Sequence, residues 1–276
     1  MKPIHIPIAV VGPGSQPEAE SLSYLEMPHD MQTYRPPVLP EPEQMAGREG
    51  VRPLLQALLA ALAQGRDGQP RPGVDLQGLD ASGLELLGQI LGEGEVSARV
   101  ESGDSVIQAQ ESVFAGVWRL RAMSNGVVVS DSIEVADVPT VLRAEAGPDA
   151  AIARPEAGPE VANAPALLAE IEEQVRLRAP HHVLNLTLLP FSPGDADYLD
   201  RALGRGAITI LSRGYGNCRI TATAVPRVWW VQYFNVQDAL ILNTIEITDV
   251  PEVACAAPED LADSRERLAE VLDWIG

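Results

Sequence analysis

The chain has 276 residues, 46% of them hydrophobic, with a formal net charge of −19 and a pI of about 4.5. That length builds one large domain or two of about 100 residues, and that charge is repelled by phosphate backbones and anionic bilayers, which argues against nucleic acid as a partner. Two cysteines, Cys218 and Cys255, exclude a four-thiolate cluster or structural zinc, and the single lysine, Lys2, leaves none for a P-loop, a Schiff base or a general base.

Residues 1–46 read as a Pro-rich arm. Prolines at 3, 7, 13, 17, 28, 36, 37, 40 and 42 forbid regular helix or a central strand through most of it. The run 4–11 could pair as an edge strand, and Tyr24, Met27, Met31 and Tyr34 are apolar anchors that could order on a partner. The segment IAVVGPGS invites a dinucleotide-binding reading, but the third glycine of that motif is absent and no crossover helix follows. The first residues lack the h-region and cleavage site of a signal peptide. No apolar run has the length of a membrane span. The expectation is a cytoplasmic protein without membrane insertion.

A first α+β unit is expected over 47–144. Leu54, Leu55, Leu58, Leu59 and Leu62 have helical spacing over 51–64. A short strand over 74–79 follows, then a helix capped by Asp80 or Ser82 and stopped by Gly92. Strands are expected over 96–100, 106–110, 113–122 and 127–135. The stretch 145–161, EAGPDAAIARPEAGPEV, is a linker. A second unit spans 162–276 in the same order: a helix capped by Asn163, a strand over 183–189, a short helix over 195–203 and four strands. It ends in an additional helix over 260–275.

The two units resemble one another in sequence. At a constant offset of 112, residues 91–139 align with 203–251 without a gap: Leu91, Gly92 and Gly94 fall on Leu203, Gly204 and Gly206, Trp118 on Trp230, and Glu134 and Asp137–Val138–Pro139 on Glu246 and Asp249–Val250–Pro251. A match of that length indicates one structural unit used twice. The expected fold class is therefore α+β, with two tandem homologous lobes, each a helix–strand–helix–four-strand meander, related by a pseudo-twofold axis.

The copies differ in charge. Residues 201–237 contain no Asp or Glu but carry Arg201, Arg205, Arg213, Arg219 and Arg227, whereas 89–125 carries five acids. Five of the twelve aromatic residues lie in the same window. With Trp230 matched to Trp118 in the core, strand alternation turns Trp229, Val231 and Tyr233 to the opposite face. Such a row must pack against another part of the chain or against another protein. Arg213, Tyr215, Arg219, Trp229, Val231 and Tyr233 are the candidate partner-binding residues.

Chemistry is written more faintly. Cys218, flanked by Arg213 and Arg219, is a candidate reactive thiol or a small half-buried residue. Adjacent His181 and His182 point to opposite faces of a strand and make a poor metal pair. Glu134 and Glu246 recur in both copies and are read as structural, and no Ser–His–acid arrangement emerges. The expectation is no catalytic site, cofactor or metal.

The segments GPGSQPE, LGEGEVSA, QESVFAGVWRLR, IEVADVP, LGRGAITILSRGYGNCRI, VWWVQYFN and LILNTIEITDVPEVACAAPEDLADS resemble the HupH/HyaF family of hydrogenase expression/formation accessory proteins. The resemblance runs over nearly the whole chain. It implies a chaperone-like role in maturing a membrane-bound uptake nickel–iron hydrogenase. The implied partners are the immature iron–sulfur small subunit, before twin-arginine export, and a thioredoxin-like accessory protein. The family supplies no catalytic residues to carry over. A redox or iron–sulfur transfer role for Cys218, and a scaffold role using the arm, are the alternatives.

Overall fold

The computed structural model describes residues 50–64, 73–143, 152–214 and 216–275. The arm at 1–46, the linker through residue 151 and Tyr215 lie outside them. Helix α1 (Val51–Ala63) buries Val51, Leu54, Leu55, Leu58 and Leu62, the stripe that its spacing dictates. Strand β1 is only Val74–Asp75. Helix α2 (Ala81–Leu91) starts at Asp80, whose carboxylate accepts from Gly83 N at 2.7 Å. Strands β2 (Val96–Ser102), β3 (Ser105–Glu111), β4 (Val117–Ser124) and β5 (Val127–Val135) follow, then one helical turn, α3 (Thr140–Arg143). The strand expected over 113–122 begins only at Val117, because 112–116 form a turn closed by Val117 N to Phe114 O.

Helix α4 (Ala164–Arg176) opens at Asn163, but the side chain of Asn163 does not cap it and donates instead to Pro190 O. Buried Asp195 does the capping. Its Oδ1 accepts from the backbone of Ala162, Asn163 and Ala164 at 2.8–2.9 Å. Asp195 also belongs to the capping box with Ser192 that starts α5 (Pro193–Leu203). Burial alone would raise this carboxyl's pKa; the backbone donors outweigh it and hold the pKa below the usual range. Between those helices β6 (His181–Asn185) runs into a 3-10 turn, Leu186–Leu188. Strands β7 (Ile208–Ser212), β8 (Asn217–Ala222), β9 (Val228–Phe234) and β10 (Leu240–Thr248) complete the second series, followed by a 3-10 turn, Glu252–Ala254, and α6 (Pro258–Trp274).

Among the described residues the strands form one sheet of ten, ordered β1-β5-β4-β3-β2-β7-β8-β9-β10-β6. The two halves are thus joined edge to edge. Their seam, β2 against β7, is antiparallel, with Val96 opposite Ser212, Ala98 opposite Ile210 and Val100 opposite Ile208. An offset of 112 carries this register onto itself.

Elsewhere the offset changes. Ala98 pairs with Ala109 but Ile210 pairs with Ile220, so β8 matches β3 at 111 rather than 112. Strand β9 follows: Ala109 pairs with Leu120, Ile220 with Val231. At β5 and β10 the offset is 112 again, since Leu120 opposes Ser132 and Val231 opposes Thr244. The hydrogen bonds agree. Ser112 N to Val117 O recurs as Thr223 N to Val228 O, and Trp118 Nε1 to Ala136 O recurs as Trp229 Nε1 to Thr248 O. Trp118 therefore corresponds to Trp229, not Trp230. Two compensating one-residue changes, one in each hairpin, hide inside the gapless alignment, and a one-residue slip turns every side chain on a strand to the other face.

One face of the sheet carries two helical packs. Helices α1, α2 and α6 cover Val117, Ile133 and Val135. Helices α4 and α5 cover Val228, Trp230, Ile245 and Ile247. The other face holds a third core: Trp118, Ala98 and Ala109 join Ile210, Ile220, Trp229 and Val231 beneath Val138, Leu142, Val250 and Ala254. Two short segments, one following each Asp-Val-Pro, form this lid.

Candidate functional site

The register settles where the proposed contact row lies. Trp229 is 4% exposed and Val231 is 0% exposed, and both pack with Trp118 in the core beneath the Asp-Val-Pro segments. They do not form an outward surface. Trp118 corresponds to Trp229 rather than Trp230, and that one-residue difference turns the row Trp229, Val231 and Tyr233 from the expected outward face to the covered one. Tyr233 lies on the same face and is partly covered. Arg219 faces the other way, in register with Leu211 and Gln232, and is buried with its guanidinium 5.7 Å from the Phe234 ring centre. Arg213 is exposed, its backbone N–H bound to Glu95 O, and Tyr215 is outside the described residues. The six candidates thus do not make one patch.

Cys218 is 1% exposed and lies across β8–β9 from Tyr233. Burial pushes its thiol up to about 12, which a bond from Tyr233 only partly offsets. Arg219, the neighbour expected to lower the pKa, projects from the opposite face of β8. Glu246, on the Cys218 side, is itself raised by burial. Its twin Glu134 accepts from Thr140 N at 2.8 Å and from Thr140 Oγ1, tying α3 to the sheet. His182 Nε2 lies 2.9 Å from Glu170, while His181 approaches Glu246 at 4.0 Å. No group of three or more His, Cys, Asp or Glu side chains able to hold a metal occurs among the described residues.

Two concavities stand out among the described residues. On the helical face, between the packs, a trough of about 510 Å³ runs beside Leu87 and Gly88 of α2 over a floor of Gln108, Gln110, Arg119 and Arg121. Its volume suits a small ligand, and Arg119 in its floor bonds Asp131 at 2.9 and 2.7 Å. The second hollow, about 270 Å³, is smaller and more strongly charged. Arg143, Arg178, Arg227 and Asp249 rim it, Arg143 being bonded to Asp137 at 2.5 Å, and Val225 and the Trp229 indole form its apolar wall. Arg227 Nε bonds Asp249 at 2.7 Å and its Nη2 donates to Ala179 O at 2.8 Å, so this guanidinium is held in place. Of these residues the charge count had noticed Arg227 alone. The signal that finds the site is ESVFAGVW at 111–118 set against ATAVPRVW at 222–229, where Gly116 becomes Arg227.

The fold and these surfaces define an α+β protein built on one antiparallel sheet whose two halves repeat each other's turns. It belongs to the HupH family of hydrogenase expression proteins, whose C-terminal conserved region matches residues 49–154 and again 161–275. The chain is 53% identical to the hydrogenase expression/formation protein HoxQ of Cupriavidus necator, over 100% of this chain and 99% of that one. It is 46% identical to HupH of Rhodobacter capsulatus over 98% of each. The hydrogenase-1 operon protein HyaF of Escherichia coli K12 is 35% identical, over 96% of this chain and 95% of its own.

Proposed function

We propose that this chain serves the maturation of a hydrogenase as a binding protein rather than by catalysing a reaction. The observation that carries this reading is the end-to-end similarity to proteins named for hydrogenase expression and formation. In its finer form the client is the immature iron–sulfur small subunit of a membrane-bound uptake nickel–iron hydrogenase. It is held in the cytoplasm before export, together with a thioredoxin-like accessory protein. No described helix is long and apolar enough to cross a membrane. The matched turns and the self-mapping seam support descent of both halves from one module. Burial of Cys218 speaks against a thiolate redox role.

The test is a tagged full-length chain expressed beside the hydrogenase operon of its host, with co-purifying subunits identified by mass spectrometry. The small subunit in its unexported form is the expected partner. Capture of the large subunit instead, or normal hydrogenase activity after deletion of the gene, would sink the reading.

A further inference from the structure

The two matched turns are finished in opposite ways. In the first half Gly116 has φ +78°, and a Cβ there would overlap Leu261 of α6. The opening turn of α6 covers the site. Arg267, one helical stretch further on, lies 5.3 Å from the Phe114 ring centre and donates to Val113 O at 3.1 Å. Asp260 is close enough to help raise the Glu111 pKa. A leucine from a helix start thus covers the turn at Gly116, with an acid beside it in sequence.

At the matching place in the second half is the hollow of about 270 Å³, and its lining includes no residue of α4, α5 or α6. Where the first half has Gly116, Arg227 stands at φ +64°, and Arg178 across the hollow stands at φ +49°. This backbone region suits glycine and disfavours longer residues. The two other non-glycine residues with positive φ among those described are Asn125 and Asp238. These are residue types that tolerate the conformation in turns. Arg178 takes it where α4 closes, its N–H bonded to Val175 O, and Arg227 takes it in the turn where the first half has glycine, so both guanidinium groups leave their backbones beside one hollow.

We propose that this hollow docks a helical segment of a partner protein whose first turn carries Asp or Glu next to a leucine. The chain supplies the template for that occupant in the opening turn of its own α6, where Leu261 covers Gly116 and the exposed acids Glu259 and Asp260 precede it. Charge complementarity fixes the sign: Arg143, Arg178 and Arg227 rim the hollow, Arg143 bonded to Asp137 at 2.5 Å and Arg227 to Asp249 at 2.7 Å, so that exposed Arg178 leads in gripping an acid. Arginine grips carboxylates in bidentate pairs. Acids at a helix N-terminus sit well with its dipole and arrive pre-placed for those pairs. The leucine would lie on Val225 and the Trp229 edge. This assignment deepens the docking role proposed above by giving it a surface.

The experiment uses the purified full-length chain and a fluorescein-labelled peptide copying residues 258–271 with Arg265→Glu and Arg267→Glu, read by anisotropy. Binding should weaken as salt is raised. It should fall by about tenfold or more in Arg227→Gly and again in Arg178→Gly, charge-assisted bonds being lost each time. Both substitutions install the residue that the backbone prefers, so folding is preserved, and circular dichroism checks it. A peptide with the leucines changed to Ser should bind less well. Equal binding to the wild type and both variants would overturn the proposal, as would absence of binding to the wild type. So would a dimer that the same variants convert to monomer, which would assign the hollow to a second copy of the chain. A failed peptide titration leaves the subunit pull-down standing; a peptide that binds where no hydrogenase subunit is captured removes only the maturation reading.

Discussion

The turns 111–118 and 222–229 share their backbone hydrogen bonds and a buried tryptophan, yet one is acidic and covered while the other is basic and open. Glu111 lies under α6, and its matched residue is Ala222; Gly116 yields to the helix, and its matched residue is Arg227. The lesson is that a repeated module keeps what closes the turn and changes what meets the turn's outer surface. Shared scaffolding and divergent chemistry separate residue by residue.

The comparison breaks most severely at the shared tryptophans. Trp118→Ala and Trp229→Ala each remove a side chain buried to 0% and 4% exposure, and each should cost about 4 kcal/mol in urea unfolding. A loss below about 1 kcal/mol for Trp229 alone would mean that the 111 offset is wrong.

Next comes the acid that only the first half carries. Burial, with Glu95 and Asp260 nearby, raises Glu111 to about 7 from 4.5 despite the Gly116 N–H that it accepts. A raised carboxyl binds its proton more tightly in the folded state. It therefore favours folding fully below pH 4.5, and that contribution is lost as pH rises through 7. Between pH 4.5 and 8 the wild type should lose about 3 kcal/mol relative to Glu111→Gln. Parallel stability curves for the two proteins would refute the assignment.

A smaller effect tests the glycine. Gly116→Ala meets both a positive φ and Leu261, and should cost about 2 kcal/mol, whereas Arg227→Gly should change stability by less than about 0.5 kcal/mol. Smallest of all is the response of Cys218. In native protein at pH 8 its thiol should resist an aromatic disulfide reagent until the chain is unfolded. Prompt labelling at this position would restore the redox reading.

Much of the fold could be read from the chain itself. The leucine spacing of α1, the cap at Asp80 and the two series of strands are local signals, and each appears within a few residues of its expected place. The joining of the two expected lobes into one continuous sheet was not legible, because nothing local announces that β2 will find β7 across the seam. The candidate surface was misread for a sharper reason. A gapless alignment of similar strands is blind to two cancelling one-residue changes, while strand faces depend on parity and reverse at each. The doublet Trp229–Trp230 made the error easy, since either residue could stand opposite Trp118. Arg143 and Arg178 come from segments with no periodicity, and only three-dimensional packing places them beside Arg227.

The seam between β2 and β7 carries one more implication. Because its register maps onto itself, a severed carboxy-terminal half would present Ile208, Ile210 and Ser212 on a raw strand edge that is complementary to its own copy. Such a fragment should close that edge by coupling with a sister molecule, Ile210 facing Ile210 across a true dyad. The intact polypeptide thereby behaves as a homodimer whose subunits have been fused. Fusion is what lets one side keep a glycine and the other an arginine, a divergence that identical subunits sharing one gene could never acquire.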